Sequence, residues 1–549
     1  MLKHNDPGVI YSPLPEKLPG RSLTLVKGAC EVSGDRGWFG EFPDEEITLS
    51  LHRWSWLLRG VTDDPVAMSG DQGLALMRSW IRQCLDAPDF AADAYSTGER
   101  IVNGSLFLLL ASEQEMPSDL TAAFKRMGRQ VAENLEYHRS GQTGNHAFNN
   151  ARALLFAGLV AKLPGAVDLA IAISKERLPK LVTSDGFLRE GSSHYQFLFT
   201  RWVLEMLWIA TREGHEAFVQ LLTPYAGLLV QRCWFFLIQG ETDGRWRIPL
   251  IGDVSPDFPP DWLLSLPWST LACGIHRPDK LPQPPPQRGW KDLFGAVEGY
   301  GTSAPDEVSS FPESGWFRIT HRPWTVFVRA QSHRGGSEAS HSHHDLGSFE
   351  LFCDGAKILA DGGRLDYTCS PLSLYGKSAL SHNTLLIDGL GPTCDGPSWL
   401  ADRYRAVQVD TEVIQSGESR CITIKHDGFM RFAGDPIFHQ RRIRLTRDGC
   451  WIEDWLDGKG SHRLQTRFHF APDIELYRVP DHGWKLGDSG LRFLPALLAD
   501  VVEQSGQFSQ PFGGVFFPTY GGQDNSKTLD LSDTVNLPVS LTHALISEP

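Results

Sequence analysis

His341-Ser342-His343-His344-Asp345-Leu346-Gly347-Ser348-Phe349-Glu350-Leu351 is the stretch on which the reading of the fold turns. It places three of the chain's 19 histidines within four residues, directly before a strand-like run. On an extended chain His341, His343 and Asp345 share one face, because side chains alternate with period two. Neutral imidazole and carboxylate are usual zinc donors, so the cluster reads either as part of a metal site or as a solvated polar loop. Immediately outward, Ser348-Phe-Glu-Leu-Phe-Cys353 and Lys357-Ile-Leu-Ala360 are strand-like, and Asp354-Gly355 between them is a hairpin signal. Asp361 ends the second run, and His382 opens the next, Asn383-Thr-Leu-Leu-Ile-Asp388. A His343, Asp361 and His382 set would draw one ligand from each of three neighbouring sheet segments. By spacing alone Asp361 equally suits a turn, and His382 a capped structural histidine.

Two familiar metal patterns fit poorly. The HxHxDH signature of metallo-β-lactamases would need histidine where Leu346 stands. A cupin would need Glu soon after HxH, and Glu350 lies seven residues beyond His343. Neither accounts for the first half of the chain.

Farther out, the texture of the sequence changes near residue 280. Before it, segments near 66–86, 118–137, 148–162, 167–182, 195–212 and 216–240 carry apolar residues at helical spacing. Short connections such as Leu163-Pro-Gly165 and Ser184-Asp-Gly186 favour antiparallel helical pairs. Pro282, Pro284, Pro285 and Pro286 mark a semi-rigid crossing. After about 312 strand-like runs dominate, with turns at Asp427-Gly, Asp448-Gly, Asp457-Gly and Gly521-Gly522. The division expected is a helical domain over 1–285, a linker over 286–311 and an antiparallel β-sandwich over 312–549.

The 549 residues exceed what one core normally serves, which agrees with two domains. Lys and Arg number 52 against 66 Asp and Glu, a net charge of −14, which argues against a nucleic-acid binder and sits awkwardly with an acidic ligand. No run of about 18 apolar residues suggests a membrane span. Met1 to Thr24 has Asn, Asp, Pro and Glu where a secretory core would be apolar. The nine cysteines (30, 84, 233, 273, 353, 369, 394, 421 and 450) include no CxxC pair and read as free thiols. A cytoplasmic location is expected, or a periplasmic one if a leader has been removed.

Taken together, the motifs resemble the heparinase II/III-like polysaccharide lyases, a bacterial glycan-degrading group. His341-Ser-His-His-Asp-Leu-Gly-Ser-Phe, Asp361-Gly-Gly and His382-Asn-Thr are similar to that family's C-terminal region, as are His439-Gln-Arg-Arg and Arg467-Phe-His469-Phe. In the first half, Asn145-His146, the run Asp185-Gly-Phe-Leu-Arg-Glu190-Gly-Ser-Ser-His194-Tyr195 and the loop Pro249-Leu-Ile-Gly252-Asp253 also match. The resemblance covers roughly 140–480. It implies an N-terminal (α/α) toroid on an antiparallel β-sandwich, with a cleft between them. It also implies one structural divalent metal, zinc, on His343, Asp361 and His382.

The activity implied is β-elimination at a uronic acid. The sugar carboxylate must be neutralised, the C5 proton removed and the leaving O4 protonated. By resemblance Asn145 and His146 take the first task, Tyr195 is the acid, or acid and base together if elimination is syn, and His341 is the base if elimination is anti, or a second neutraliser. Arg189, Arg201 and Arg364 are candidates to lower the Tyr195 phenol. Glu190, His194, Arg201, Tyr367 and Tyr375 are expected against substrate, with Tyr375 and Tyr367 rivals for a second cleft tyrosine. Read singly, Asn145 suits a helix N-cap, His146 a structural role, and Tyr195 a core aromatic beside Phe197, Phe199 and Trp202. Asn149 stands where dual-specificity members carry Glu, so their specificity does not transfer. The expected partner is an acidic polysaccharide or oligosaccharide, with homodimerisation left open. His146, Arg189, His194, Arg201, His341 and Arg364 are expected to make a locally positive groove in a negative protein. The competing readings are a non-catalytic protein that binds or assembles acidic glycans on a lyase fold, and a metal-dependent glycan hydrolase.

Overall fold

The computed structural model describes residues 21–26, 29–32, 37–40, 42, 44–62, 70–87, 92–111, 116–137, 144–242, 246–257, 307–332, 341–393, 407–431, 436–480, 482–496 and 499–548. Nine helices precede the sandwich among them: α1 (Glu45–His52), α2 (Ser55–Thr62), α3 (Gly70–Cys84), α4 (Ala94–Ala111), α5 (Ser118–Glu133), α6 (His146–Leu159), α7 (Ala166–Leu181), α8 (Ser193–Arg212) and α9 (Glu216–Phe236). They form the toroid. α6 is buried from Ala147 to Leu159 and α8 from Ser193 to Ala210, as expected of helices with no solvent face. The polar residues on them therefore need partners inside. Arg152 of α6 finds Glu99 of α4 at 2.6 Å and Glu205 of α8 at 2.7 Å, all fully buried. α8 is started by Ser192, whose hydroxyl accepts the Tyr195 N–H at 3.1 Å.

The helical expectation holds with three corrections. α1, α2 and α4 have no counterpart among the segments read from periodicity. The run expected to 240 ends at Phe236 and passes into a two-strand ribbon, Ile238–Gln239 with Trp246–Arg247. A strand, Val308–Phe311, lies inside the stretch assigned to the linker. The proline cluster and the boundary at 285 lie outside the described residues.

The sandwich is two antiparallel sheets. One runs in the order 500–505, 527–536, 461–470, 356–359, 349–353, 324–329, 316–321 and 308–311, with 385–387 paired to 461–470. The other runs 409–415, 420–426, 438–446, 449–457, 539–547, 491–494, 483–486 and 476–479. Strand 438–446 alternates between buried and more exposed positions, the mark of a sheet with one face in the core. Phe317, Val326, Leu351, Ile422, Ile443, Phe468 and Leu529 fill the space between the sheets. The predicted hairpin forms at Asp354-Gly355, whose φ angles of 49° and 74° suit a two-residue hairpin turn.

The two domains share an apolar seam. Phe187 lies 5.1 Å from Phe311, Phe235 5.9 Å from Phe327, and Phe236 4.8 Å from Trp316, centroid to centroid. This seam fixes the toroid against the sandwich. Cys30, Cys84, Cys233, Cys353, Cys369, Cys421 and Cys450 are free, while Cys273 and Cys394 lie outside the described residues. Among the described residues no helix is long and apolar enough to cross a membrane.

Candidate active site and metal centre

The helical half of the site starts at the head of α6. Asn145 occupies the N-cap position but makes no capping bond with its side chain. Its Nδ2 instead donates to Glu190 Oε2 at 2.6 Å, and its backbone N–H donates to Glu190 Oε1 at 2.9 Å. Glu190 thus orients the amide. His146 is half-exposed, with Nδ1 2.9 Å from Glu136 Oε1 and its ring 4.5 Å from that of Tyr95. Burial pulls the His146 imidazole down, and the hydrogen-bonded Glu136 carboxylate more than offsets it, leaving the group above its ordinary value. Tyr195, on the first turn of α8, is buried, and its hydroxyl lies 2.6 Å from that of Tyr367. Burial pushes the Tyr195 phenol well above its ordinary value; the Tyr367 hydrogen bond opposes this, while Asp253, Asp257 and Glu190 add to it.

The sandwich half faces it. The His341 ring stacks on Tyr195 with centroids 3.7 Å apart and planes 16° from parallel. His341 Nε2 lies 3.8 Å from Glu190 Oε2, and Nδ1 lies 3.1 Å from Asp253 Oδ2. Asp253 also meets His343 Nε2 at 2.8 Å and Arg364 Nη1 at 3.5 Å. Burial pushes the Asp253 carboxyl up, but hydrogen bonds from His341 and His343 outweigh it and hold the group well below the usual carboxylate range. The loop over 249–257 that carries Asp253 passes close to both domains. Gly252 has φ of 83°, and a Cβ there would stand 2.7 Å from the carbonyl oxygens of both Gly191 and His341. The sequence singled out this loop but gave Asp253 no role.

His343, Asp361 and His382 converge as the spacing suggested. All three are buried, and their donor atoms lie within 4.8 Å of one another. His343 spends Nε2 on Asp253, and His382 spends Nδ1 on Asp361 Oδ2 at 2.9 Å. That leaves His343 Nδ1 and His382 Nε2 buried with no hydrogen-bond partner. Two orphaned imidazole nitrogens beside a carboxylate fit a divalent cation of the zinc class, because each buried unpaired polar atom otherwise costs about 1–3 kcal/mol. Burial raises the Asp361 carboxyl, but the neighbouring His382 holds it below its ordinary value. Asn383 latches this region, donating from Nδ2 to the Phe349 and Ala360 carbonyls at 2.9 Å and accepting from the His469 N–H at 2.8 Å. Arg441, held by Asp454, donates to the Gly347 and Asn383 carbonyls. The His439-Gln-Arg-Arg and Arg467-Phe-His469 stretches therefore brace the segments that carry His343 and His382.

Other expected site residues fall elsewhere. Of the two rival tyrosines, Tyr367 is the one whose hydroxyl meets that of Tyr195. Tyr375 packs in a small separate cluster with Leu365, Val515 and Phe517, its hydroxyl donating to the Leu380 carbonyl at 3.3 Å. Arg201 has no exposed side-chain surface and pairs with Glu205 inside the toroid, so it is not available to a glycan. His194 is buried and accepts the Ser255 N–H at 3.1 Å, anchoring the 249–257 loop. Arg189 pairs with Glu313, and none of Arg189, Arg201 or Arg364 is a principal influence on the Tyr195 phenol. Asn149 is sealed in α6, its Oδ1 accepting from Arg152 Nη1 at 2.7 Å. The expected positive groove thus reduces to His146, His341 and Arg364. Sequence reading missed the carboxylates that accompany them, together with the Arg53, Tyr95 and Asp257 set. Arg53 lies 2.9 Å from Asp257 Oδ1, and the Tyr95 hydroxyl 2.6 Å from Oδ2. These residues come from segments up to 204 positions apart, and no local motif announces them.

Residues 303–540 match the family model described as Heparinase II/III-like, C-terminal. No curated protein matches the chain. Among solved structures, one described as heparinase III shares 15% identity over 93% of this chain and 79% of its own, with a TM-score of 0.67. A heparan sulfate lyase from Pedobacter heparinus shares 15% identity over 95% of this chain and 80% of its own, with a TM-score of 0.56. A Paenibacillus xanthan lyase shares 9% over 93% of this chain and 54% of its own, with a TM-score of 0.51. These likenesses establish a toroid joined to a sandwich of the heparinase type.

Proposed function

We propose that the protein is a lyase that cleaves a uronic-acid-containing polysaccharide or oligosaccharide by β-elimination, a reading supported by the match of residues 303–540 to the heparinase II/III-like C-terminal model. The observation that carries this reading is the approach of Asn145, Tyr195 and His341 from the two domains: Asn145 is bonded to Glu190, His341 Nε2 lies 3.8 Å from that same carboxylate, and the His341 ring stacks on Tyr195. The Asn145 amide and the His146 imidazole neutralise the uronate carboxylate, which lowers the energy of the enolate-like intermediate. His341 Nε2 takes the C5 proton. The released electron pair forms the C4–C5 double bond, the C4–O4 bond breaks, and the Tyr195 hydroxyl gives its proton to O4. Tyr195 suits the acid task because burial keeps its proton on, and the same burial disfavours it as a base. Tyr367 hydrogen-bonds the reacting phenol, and Glu190 orients Asn145.

His343, Asp361 and His382 would hold one divalent cation, zinc by donor type. When bound, it supplies a fixed charge that secures the loop leading from His341, a structural service. The division that goes with this reading is a toroid over 1–285, a crossing from 286, and a sandwich that begins with the strand Val308–Phe311 and runs to 549.

The test is ultraviolet absorbance of the new double bond on a panel of heparan, chondroitin, hyaluronan, alginate and bacterial exopolysaccharides. Product formation by the wild type that is lost in Tyr195→Phe is expected. Binding of a uronate glycan with no unsaturated product would favour the non-catalytic reading instead.

A further inference from the structure

We propose that Asp253 is the positioning residue that makes His341 Nε2 the proton-accepting atom and ties its placement to the metal site. The proposal rests on the lyase reading above for His341, and on the metal triad independently of it.

Asp253 is fastened on every side. Its backbone N–H donates to the His341 carbonyl at 2.9 Å, and its own carbonyl accepts from Ser192 Oγ at 2.6 Å. The preceding Gly252 leaves no room for a side chain between Gly191 and His341. The carboxylate itself is 2% exposed. Its two oxygens are divided between two histidines, Oδ2 to His341 Nδ1 at 3.1 Å and Oδ1 to His343 Nε2 at 2.8 Å.

An ionised carboxylate only accepts hydrogen bonds, so each imidazole must turn an N–H toward it. For His341 this puts the proton on Nδ1 and leaves the Nε2 lone pair directed toward the Asn145–Glu190 side of the cleft. For His343 it puts the proton on Nε2 and leaves Nδ1, the orphaned atom, for the cation. One side chain thus sets two tautomers by two short bonds. A cation that fixes His343 fixes Asp253, and Asp253 fixes His341. When His341 accepts the C5 proton, the same carboxylate faces the imidazolium that forms. This is the arrangement by which outer carboxylates orient both metal ligands and catalytic histidines.

The variant that separates this from simple loop fastening is Asp253→Asn, which keeps the shape but presents an N–H to one of the two rings. Three readouts are expected to move together. Zinc affinity, measured by competition with a chelator, falls about 10–100-fold. Turnover on the glycan that the wild type cleaves falls about 10²–10⁴-fold in kcat with little change in KM. Nitrogen-15 resonances of labelled histidine show His341 as the Nδ1–H tautomer in the wild type and a changed tautomer in the variant. Unchanged kcat with unchanged zinc affinity would overturn the proposal. So would losses of both that merely track the folded fraction seen by circular dichroism. If the wild type makes no unsaturated product from any glycan, the lyase reading fails and takes the base role of His341 with it. The zinc and tautomer measurements then still decide whether Asp253 governs the metal site.

Discussion

The two halves of the site are built on different principles. On the toroid side Asn145 is held by Glu190, and His146 by Glu136, in hydrogen bonds complete within the protein. On the sandwich side His343 Nδ1 and His382 Nε2 are each buried without a hydrogen-bond partner. The first half is finished by folding alone. The second has the donor set of a cation site, and on the proposed reading its geometry depends on what occupies it. The proposed acid and carboxylate-neutralising groups on the toroid side and the metal-dependent placement of His341 on the other should accordingly fail separately under the right perturbations.

The sharpest break is Tyr195→Phe. Removing the acid should lower kcat about 10²–10⁴-fold while zinc content and thermal midpoint stay near those of the wild type. Because burial holds this phenol above its ordinary value, its ionisation should cause no alkaline loss of activity below about pH 10. Next in size is chelation. Removing a cation that had been present at about 1,000 times its dissociation constant should cost about 4 kcal/mol of stability, read as a lower thermal midpoint that zinc restores. Activity should decline with it, whereas a loss of rate at constant midpoint would point to a catalytic metal and to the hydrolase reading. Glu190→Gln should sharpen the contrast from the other side. Losing a charged acceptor for Asn145 is worth about 1.5–3 kcal/mol, or roughly 10–100-fold in kcat/KM, with zinc affinity unchanged. A parallel fall in zinc affinity would show that the halves are not separable. Smallest is Tyr375→Phe, which removes the hydroxyl that donates to the Leu380 carbonyl and should cost about 0.5–1.5 kcal/mol of stability with kcat intact.

Much of this architecture was legible in the sequence, for identifiable reasons. Short motifs report local geometry, so His343, Asp361 and His382 could be grouped from three strand ends, and the Asp354-Gly355 turn from two residues. Periodicity found α3 and α5 to α9, whose apolar positions recur clearly. It missed α4, whose polar residues Glu99, Arg100 and Asn103 face inward to buried partners instead of marking a solvent side. The same cause misled the reading of Arg201 and His194, where charge or polarity suggested the cleft. Inside a toroid a buried arginine is matched by a carboxylate from another helix, and Glu205 does this for Arg201. Tyr367 and Tyr375 lie eight residues apart, and only the path of the chain through Asp366–Tyr375 decides which reaches Tyr195. Asp253 was visible as part of a loop motif, but its two histidine partners lie 88 and 90 residues away.

The negative charge of the chain also takes on a different meaning. Arg53 and Arg364, the arginines beside the site, are met by Asp257 and Asp253, so the cleft is balanced more than basic. On the proposed reading, recognition of a uronate would rest on hydrogen bonds from Asn145 and His146 more than on a broad positive field.

Elimination and hydrolysis differ in where oxygen comes from, and that difference tests the central claim most directly. Cleavage of a uronate glycan in water labelled with oxygen-18, followed by mass analysis of the products, separates them. With products reduced promptly, before the new anomeric hydroxyl exchanges with solvent, the account predicts an unsaturated uronate at one new end and no solvent oxygen incorporated on cleavage. One labelled oxygen per broken bond, with both ends saturated, would contradict it.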